Sequence, residues 1–138
     1  MRRFVLDCSV AMGWCFDDEA DPYTERVLGA LEAGTAVVPA LWPLEVANVL
    51  LVAERRRRLR RADVVQFLDL LEGLPVEVDP VIAVADVAGI IALAREHRLS
   101  AYDAAYLHLA MRERLPLATR DAALRSAARA VSVAHFSV

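Results

Sequence analysis

The chain has 138 residues, 57% of them hydrophobic, and a formal net charge of -3. That length and apolar share predict one domain over residues 1–138 with a real core, exclude disorder, and give no overall attraction to nucleic acid. All 16 basic residues are arginine, which excludes mechanisms that need a lysine, such as a P-loop phosphate site or a Schiff base.

The first predicted strand is Phe4 to Leu6, with Asp7 directly behind it where a helix should begin. Met1-Arg2-Arg3 resembles the start of a signal peptide, but only three apolar residues follow before Asp7. No apolar run approaches the roughly 18 residues of a membrane span, so a cytoplasmic protein without membrane contact is expected. Cys8 and Cys15 have no paired Cys or His nearby, which fits neither a zinc site nor a disulfide framework, and they read as reduced core residues. Asp17, Asp18, Glu19 and Asp21 form an acidic knot, read as a solvated loop that Pro22 breaks. A helix over Thr24 to Ala33 and a strand over Ala36 to Val38 come next.

The spacing of Leu44, Val46, Ala47, Leu50 and Leu51 predicts a helix from Pro43 to Arg57. Glu45 sits in its first turn and Asn48 shares the Glu45 face at i, i+3. Arg55, Arg56, Arg57, Arg58, Arg60 and Arg61 follow. They read equally as a solvated helix C-terminus and as phosphate contacts. A helix over Ala62 to Glu72, a strand over Val76 to Val78, and a helix over Pro80 to Glu96 continue the alternation. The last of these, around VIAVADVAGIIALA, is apolar on nearly every side except at Asp86, and is expected to be buried in the core or in a subunit contact. The remaining elements are a helix over Ala101 to Arg114, a strand over Leu117 to Ala118, a helix over Ala122 to Arg129 and a fifth β-type run, Val131 to Val133. Trp14, Phe16, Trp42 and Phe67 read as core or interface, because they are not interleaved with the arginines. No motif recommends His97, His108 or His135 as a general base.

Strands alternating with helices predict an α/β sandwich on a mainly parallel sheet, whose ligands lie beyond the carboxyl ends of the strands. Asp7, Glu45, Asp103 and Asp121 all fall at helix N-termini, three of them near strand ends. Singly, Asp7, Asp103 and Asp121 each read as helix caps, whereas Glu45, beside Asn48 on a largely apolar helix, reads as a polar site. Ser100 and Asp103 match the capping-box spacing and Asp121 is well placed as an N-cap. Brought together, four carboxylates would repel unless protonated or joined by a cation, and oxygen-only ligation selects Mg²⁺ or Mn²⁺. Such ions are the equipment for phosphodiester hydrolysis.

At LDCSVAMGWCF, PLEVANVL, LSAYDAAYLHLA and LATRDAAL, in that order and spacing, the chain resembles the PIN domain, in particular the VapC-type toxins of toxin-antitoxin pairs. The resemblance implies a Mg²⁺-dependent ribonuclease built as a three-layer sandwich, with a parallel central sheet of about five strands flanked by helices. Asp7, Glu45, Asp103 and Asp121 would be the metal site. Ser9 and Thr119 would orient the carboxylates, and Asn48 would do the same or touch a phosphate. It implies RNA as substrate, a homodimer, and inhibition by a small antitoxin whose C-terminal segment docks near the active site; the acidic knot, otherwise a solvated loop, could pair with an antitoxin arginine. Cys8, standing where small residues are common, would make activity sensitive to oxidation. The rival readings are an RNA-processing or structure-specific DNA nuclease of the same fold without an antitoxin, and a non-catalytic interaction protein whose acids are caps.

Overall fold

The computed structural model describes residues 2–80 and 82–138, so Met1 of the basic start and Val81 of the expected fourth helix lie outside the described residues. The chain runs β1 (Arg2–Leu6), α1 (Cys8–Cys15), a 3-10 turn (Asp17–Glu19), α2 (Pro22–Ala30), β2 (Gly34–Pro39), α3 (Trp42–Arg55) and α4 (Arg61–Glu72). It continues with β3 (Val76–Asp79), α5 (Val84–His97), α6 (Ala101–Glu113), β4 (Leu117–Ala118) and α7 (Ala122–Ala130). The strands form one parallel sheet in the order β3-β2-β1-β4. Phe4, Val5 and Leu6 are all buried, as a central parallel strand covered on both faces requires. Helix α6 packs on β1, β2 and β4 and carries the fully buried Tyr106 and Leu107. Helices α1 and α2 approach so closely that a Cβ on Gly13 would meet Thr24 Oγ1 at 2.8 Å.

The sheet is the expected three-layer α/β sandwich with four strands. Val131 to Val133 is not a fifth. Ser132 turns the chain there with φ 63°, and the edge of β4 is met just beyond, by a single parallel bridge from Leu117 to His135. Helix α5 begins at Val84 rather than Pro80, because the Asp86 carboxylate accepts the Ala83 N-H at 3.0 Å and caps the helix there. Its burial is also one-sided. Ile90 and Leu93 face the core, whereas Ile82, before the helix, and Val84, Val87 and Ile91 on it are exposed, so the core accounts for only one face. Phe16, Trp42 and Phe67 are buried and Trp14 is partly so. No helix among the described residues is long and apolar enough to cross a membrane.

The acidic knot is not a free loop. Arg58 donates to both Asp18 oxygens at 3.1 Å, lies 3.5 Å from Glu19, and stacks over the Phe16 ring. The basic run is likewise divided. Arg55 ends α3, Arg57 turns the chain in the left-handed region, and Arg60 pairs with Asp63 at the start of α4.

Candidate active site

The order β3-β2-β1-β4 reverses direction between β1 and β4, the place where an open α/β sheet leaves a crevice at the strands' carboxyl ends. The register pairs Leu6 with Ala118, and the Asp7 N-H donates to the Ala118 carbonyl at 3.0 Å. Asp7 and Thr119 therefore leave the sheet side by side. Thr119 Oγ1 donates to Asp7 Oδ2 at 2.7 Å, and Ser9 Oγ donates to the same oxygen at 2.7 Å. Each hydroxyl is itself fixed by a backbone N-H: Ser9 accepts from Arg120 at 3.1 Å and Thr119 accepts from Asp121 at 3.0 Å. Asp7 stands at the N-cap position of α1, yet its side chain makes no capping bond.

Pro43 starts α3 and puts Glu45 in its first turn, where Glu45 Oε1 accepts a hydrogen bond from the Tyr106 hydroxyl of α6. Asp103 lies one turn before Tyr106. Ser100 Oγ accepts the Asp103 N-H at 3.1 Å, but the reciprocal half of the capping box is not formed. Asp121 is the one acid of the four that caps, accepting the Leu124 N-H at 2.9 Å. Capping thus explains Asp121 and leaves Asp7, Glu45 and Asp103 unexplained.

None of the four enters an ion pair among the described residues. Burial pushes the Asp7 carboxyl above its ordinary range, the Thr119 and Ser9 hydroxyls oppose that, and the Asp121 charge adds to it. Burial also raises Glu45, with Tyr106 opposing and Asp7 and Asp103 reinforcing. Asp103 is raised by burial and then by Asp7 and Asp121. The donor set is all oxygen, with no direct ion-pair partner among the described residues, which suits a hard divalent cation. Among the described residues no three Asp, Glu, His or Cys side chains stand close enough to ligate one ion as they are, so a shared ion would have to draw the carboxylates inward.

Asn48 is exposed and lines a separate hollow with Phe16 and Arg58, rather than the acidic crevice. The arginines from Arg55 onward lie roughly 15 Å along α3 from Glu45, ten residues at about 1.5 Å each. Cys8 is buried, and burial, followed by the Glu45 and Asp7 charges, pushes its thiol up to about 12.

Two residues had no signal in the sequence. Tyr106 on an apolar helix reads as core, although it holds Glu45. Arg120, between Thr119 and Asp121, reads as surface. Its guanidinium donates to the Ser9 carbonyl at 2.6 and 2.9 Å and to the Glu19 carbonyl at 2.6 Å, and reaches Asp21 at 3.3 Å. It ties the start of α1 to the acidic knot.

The sequence pattern of the PIN domain matches residues 4–130. A search of curated proteins found no match to the sequence. Among solved structures, PAE2754 from Pyrobaculum aerophilum superposes with a TM-score of 0.66 at 22% identity, covering 91% of this chain and 79% of that one. VapBC2 from Rickettsia felis, solved bound to a DNA fragment from its promoter, gives 0.67 at 11% identity over 98% and 97%. FitAcB from Neisseria gonorrhoeae gives 0.61 at 22% identity over 97% and 96%.

Proposed function

The chain belongs to the PIN-domain family, and from that premise we propose that it is a cytoplasmic metal-dependent endoribonuclease, the toxin of a toxin-antitoxin pair. The observation that carries this reading is the set Asp7, Glu45 and Asp103, partly or fully buried at the switch of the sheet with neither capping bonds nor cationic partners. Stability alone would favour apolar or paired groups there.

Asp7, Glu45 and Asp103 would hold Mg²⁺ or Mn²⁺ directly or through water, with Asp121 completing the site or holding a second ion. The bound ion would supply an activated water and balance charge on the leaving oxygen. The chain's own part is positioning. Ser9 and Thr119 fix one oxygen of Asp7 and leave the other side of the carboxylate to point at a ligand. Tyr106 fixes one oxygen of Glu45 in the same way. No protein nucleophile is needed.

Two further parts of the reading concern partners. The exposed apolar residues Ile82, Val84, Val87 and Ile91 suit a homodimer contact, and a small antitoxin would cover the crevice. The test is cleavage of labelled RNAs by the pure protein in Mg²⁺, in EDTA, and after Asp7→Asn in a variant checked to be folded. Cleavage that needs both the metal and Asp7 is expected. Cleavage of DNA alone would turn the reading to a DNA nuclease, and no cleavage without metal binding would return the acids to structural roles.

A further inference from the structure

Beside the acids, a groove of about 840 Å³ opens at Asp121 and Thr119 and runs between α2, α7 and the segment after Ser132. Its floor near the acids is polar. Farther out, Tyr23 and His135 stack on one another, with ring centroids 4.9 Å apart and planes 24° from parallel, and both are partly exposed. Arg125 and Arg26 flank them. Arg125 stands four residues after Asp121 on α7, and i, i+4 side chains on one helix face lie about 6 Å apart at Cβ. Arg125 is exposed and makes no ion pair or side-chain hydrogen bond among the described residues, unlike Arg120, which is engaged with Ser9, Glu19 and Asp21. Arg26 gives its Nε-H to the Val138 carbonyl at 2.8 Å and lines the same groove. The electrostatic influence of Arg125 reaches both Tyr23 and His135, and burial with Arg125 holds the imidazole below its usual range.

A cation without a partner beside a stacked aromatic pair, opening onto a carboxylate cluster, is how single-stranded nucleic acid is gripped: phosphate on guanidinium, base on ring. We infer that this groove is a nucleotide subsite next to the scissile phosphate, with Arg125 and Arg26 holding a backbone phosphate and the Tyr23-His135 pair packing a base. The inference rests on the nuclease reading for its substrate and concerns residues that reading does not use. It also places the phosphate contacts on α7 and α2, and not at the far end of α3. The cluster of four acids repels an incoming strand, and Arg125 supplies a counter-charge within one helical turn of Asp121.

The experiment is fluorescence anisotropy of a 5′-labelled 12-nucleotide single-stranded RNA of mixed sequence, in EDTA to prevent cleavage, at two salt concentrations, with cleavage in Mg²⁺ measured in parallel. Arg125→Gln touches an exposed side chain with no partner, so it folds. We expect binding weakened about tenfold and a salt slope reduced by roughly 0.7 to 1. His135→Ala, confirmed folded by its melting curve, weakens binding about tenfold with the slope unchanged, as loss of a stacked base requires. Arg95→Gln, on exposed α5, changes neither. Wild-type binding in both Arg125→Gln and His135→Ala overturns the subsite even if the protein cleaves RNA normally. A larger loss from Arg55→Gln/Arg56→Gln/Arg57→Gln than from Arg125→Gln also overturns it. Weakened binding in the two groove variants from a protein that never cleaves RNA upholds the subsite and removes the ribonuclease. Wild-type protein that does not bind RNA at all removes both.

Discussion

The chain gathers carboxylates in two places, and it treats them oppositely. In the acidic knot, Asp18 and Glu19 meet Arg58, Asp21 meets Arg120, and Asp21 also caps α2 by accepting the Thr24 N-H at 2.8 Å. The Thr24 N-H, with help from Arg120, holds Asp21 below its ordinary range. At the strand ends, Asp7 and Glu45 accept from hydroxyls, the charges of Asp7, Glu45 and Asp103 act on one another, and all three are held above theirs. Asp18, Glu19 and Asp21, within four residues, are structural, while Asp7, Glu45 and Asp103, spread over 97 positions, have no cationic partner among the described residues. Density of charge in sequence is therefore a poor guide, and the absence of a direct ion-pair partner in space is a better one.

That contrast can be broken in four ways. The largest effect is expected from Asp103→Asn, which should reduce metal-dependent cleavage roughly 10³-fold in a timed RNA assay. Asp18→Asn in the knot should leave the rate within a factor of two, and equal losses would end the distinction. Next is Arg120→Ala, which releases the knot from the start of α1. Several charge-assisted bonds go together, so a loss of about 3 kcal/mol in urea unfolding is expected.

The third test is one of sign. Raised carboxyls favour folding when protonated, so their contribution in metal-free protein is fully present below the unfolded value near pH 4 and is lost as pH rises through the raised values. Asp7→Asn should therefore raise the melting temperature at pH 8 in EDTA by a few degrees and flatten its dependence on pH. Asp21, held low, contributes above about pH 4 and loses that contribution as pH falls through its folded value. Asp21→Ala should cost about 1 kcal/mol at pH 7, measured by urea unfolding, as the loss of a cap does. The same pH trend in both variants would sink the comparison. The smallest effect belongs to Arg58→Gln, an exposed pair, for which less than about 1 kcal/mol is expected in the same unfolding measurement.

How much of this was legible depends on whether a feature is local. Phe4 to Leu6 reads as a strand because a doubly covered strand is apolar throughout, and α3 announces itself by Pro43 and its apolar stripe. Val131 and Val133 alternate as a strand would, but pairing is decided by where the chain meets β4, and Ser132 turns it first. Pro80 looked like a helix start, whereas the cap that operates is Asp86 on Ala83. For the site, strand-end acids are visible in one dimension. That Asp7 caps nothing is not, since its partners Ser9 and Thr119 come from both ends of the chain. Arg120 and Tyr106 are invisible for the same reason: each acts on residues more than 60 positions away.

The hydrogen bond from Thr119 to Asp7 spans 112 positions. Translation delivers the N-terminal part first, so Asp7, Glu45 and Asp103 all emerge before β4 exists to dock beside β1. Parallel pairing of such distant segments is a slow step in folding. A nascent or interrupted chain lacking Leu117 to Asp121 has neither the hydroxyl that sets Asp7 nor the fourth carboxylate. On the nuclease reading, a cell making this protein is shielded during its synthesis by topology alone, and the need for a restraining partner begins when the last strand closes the sheet.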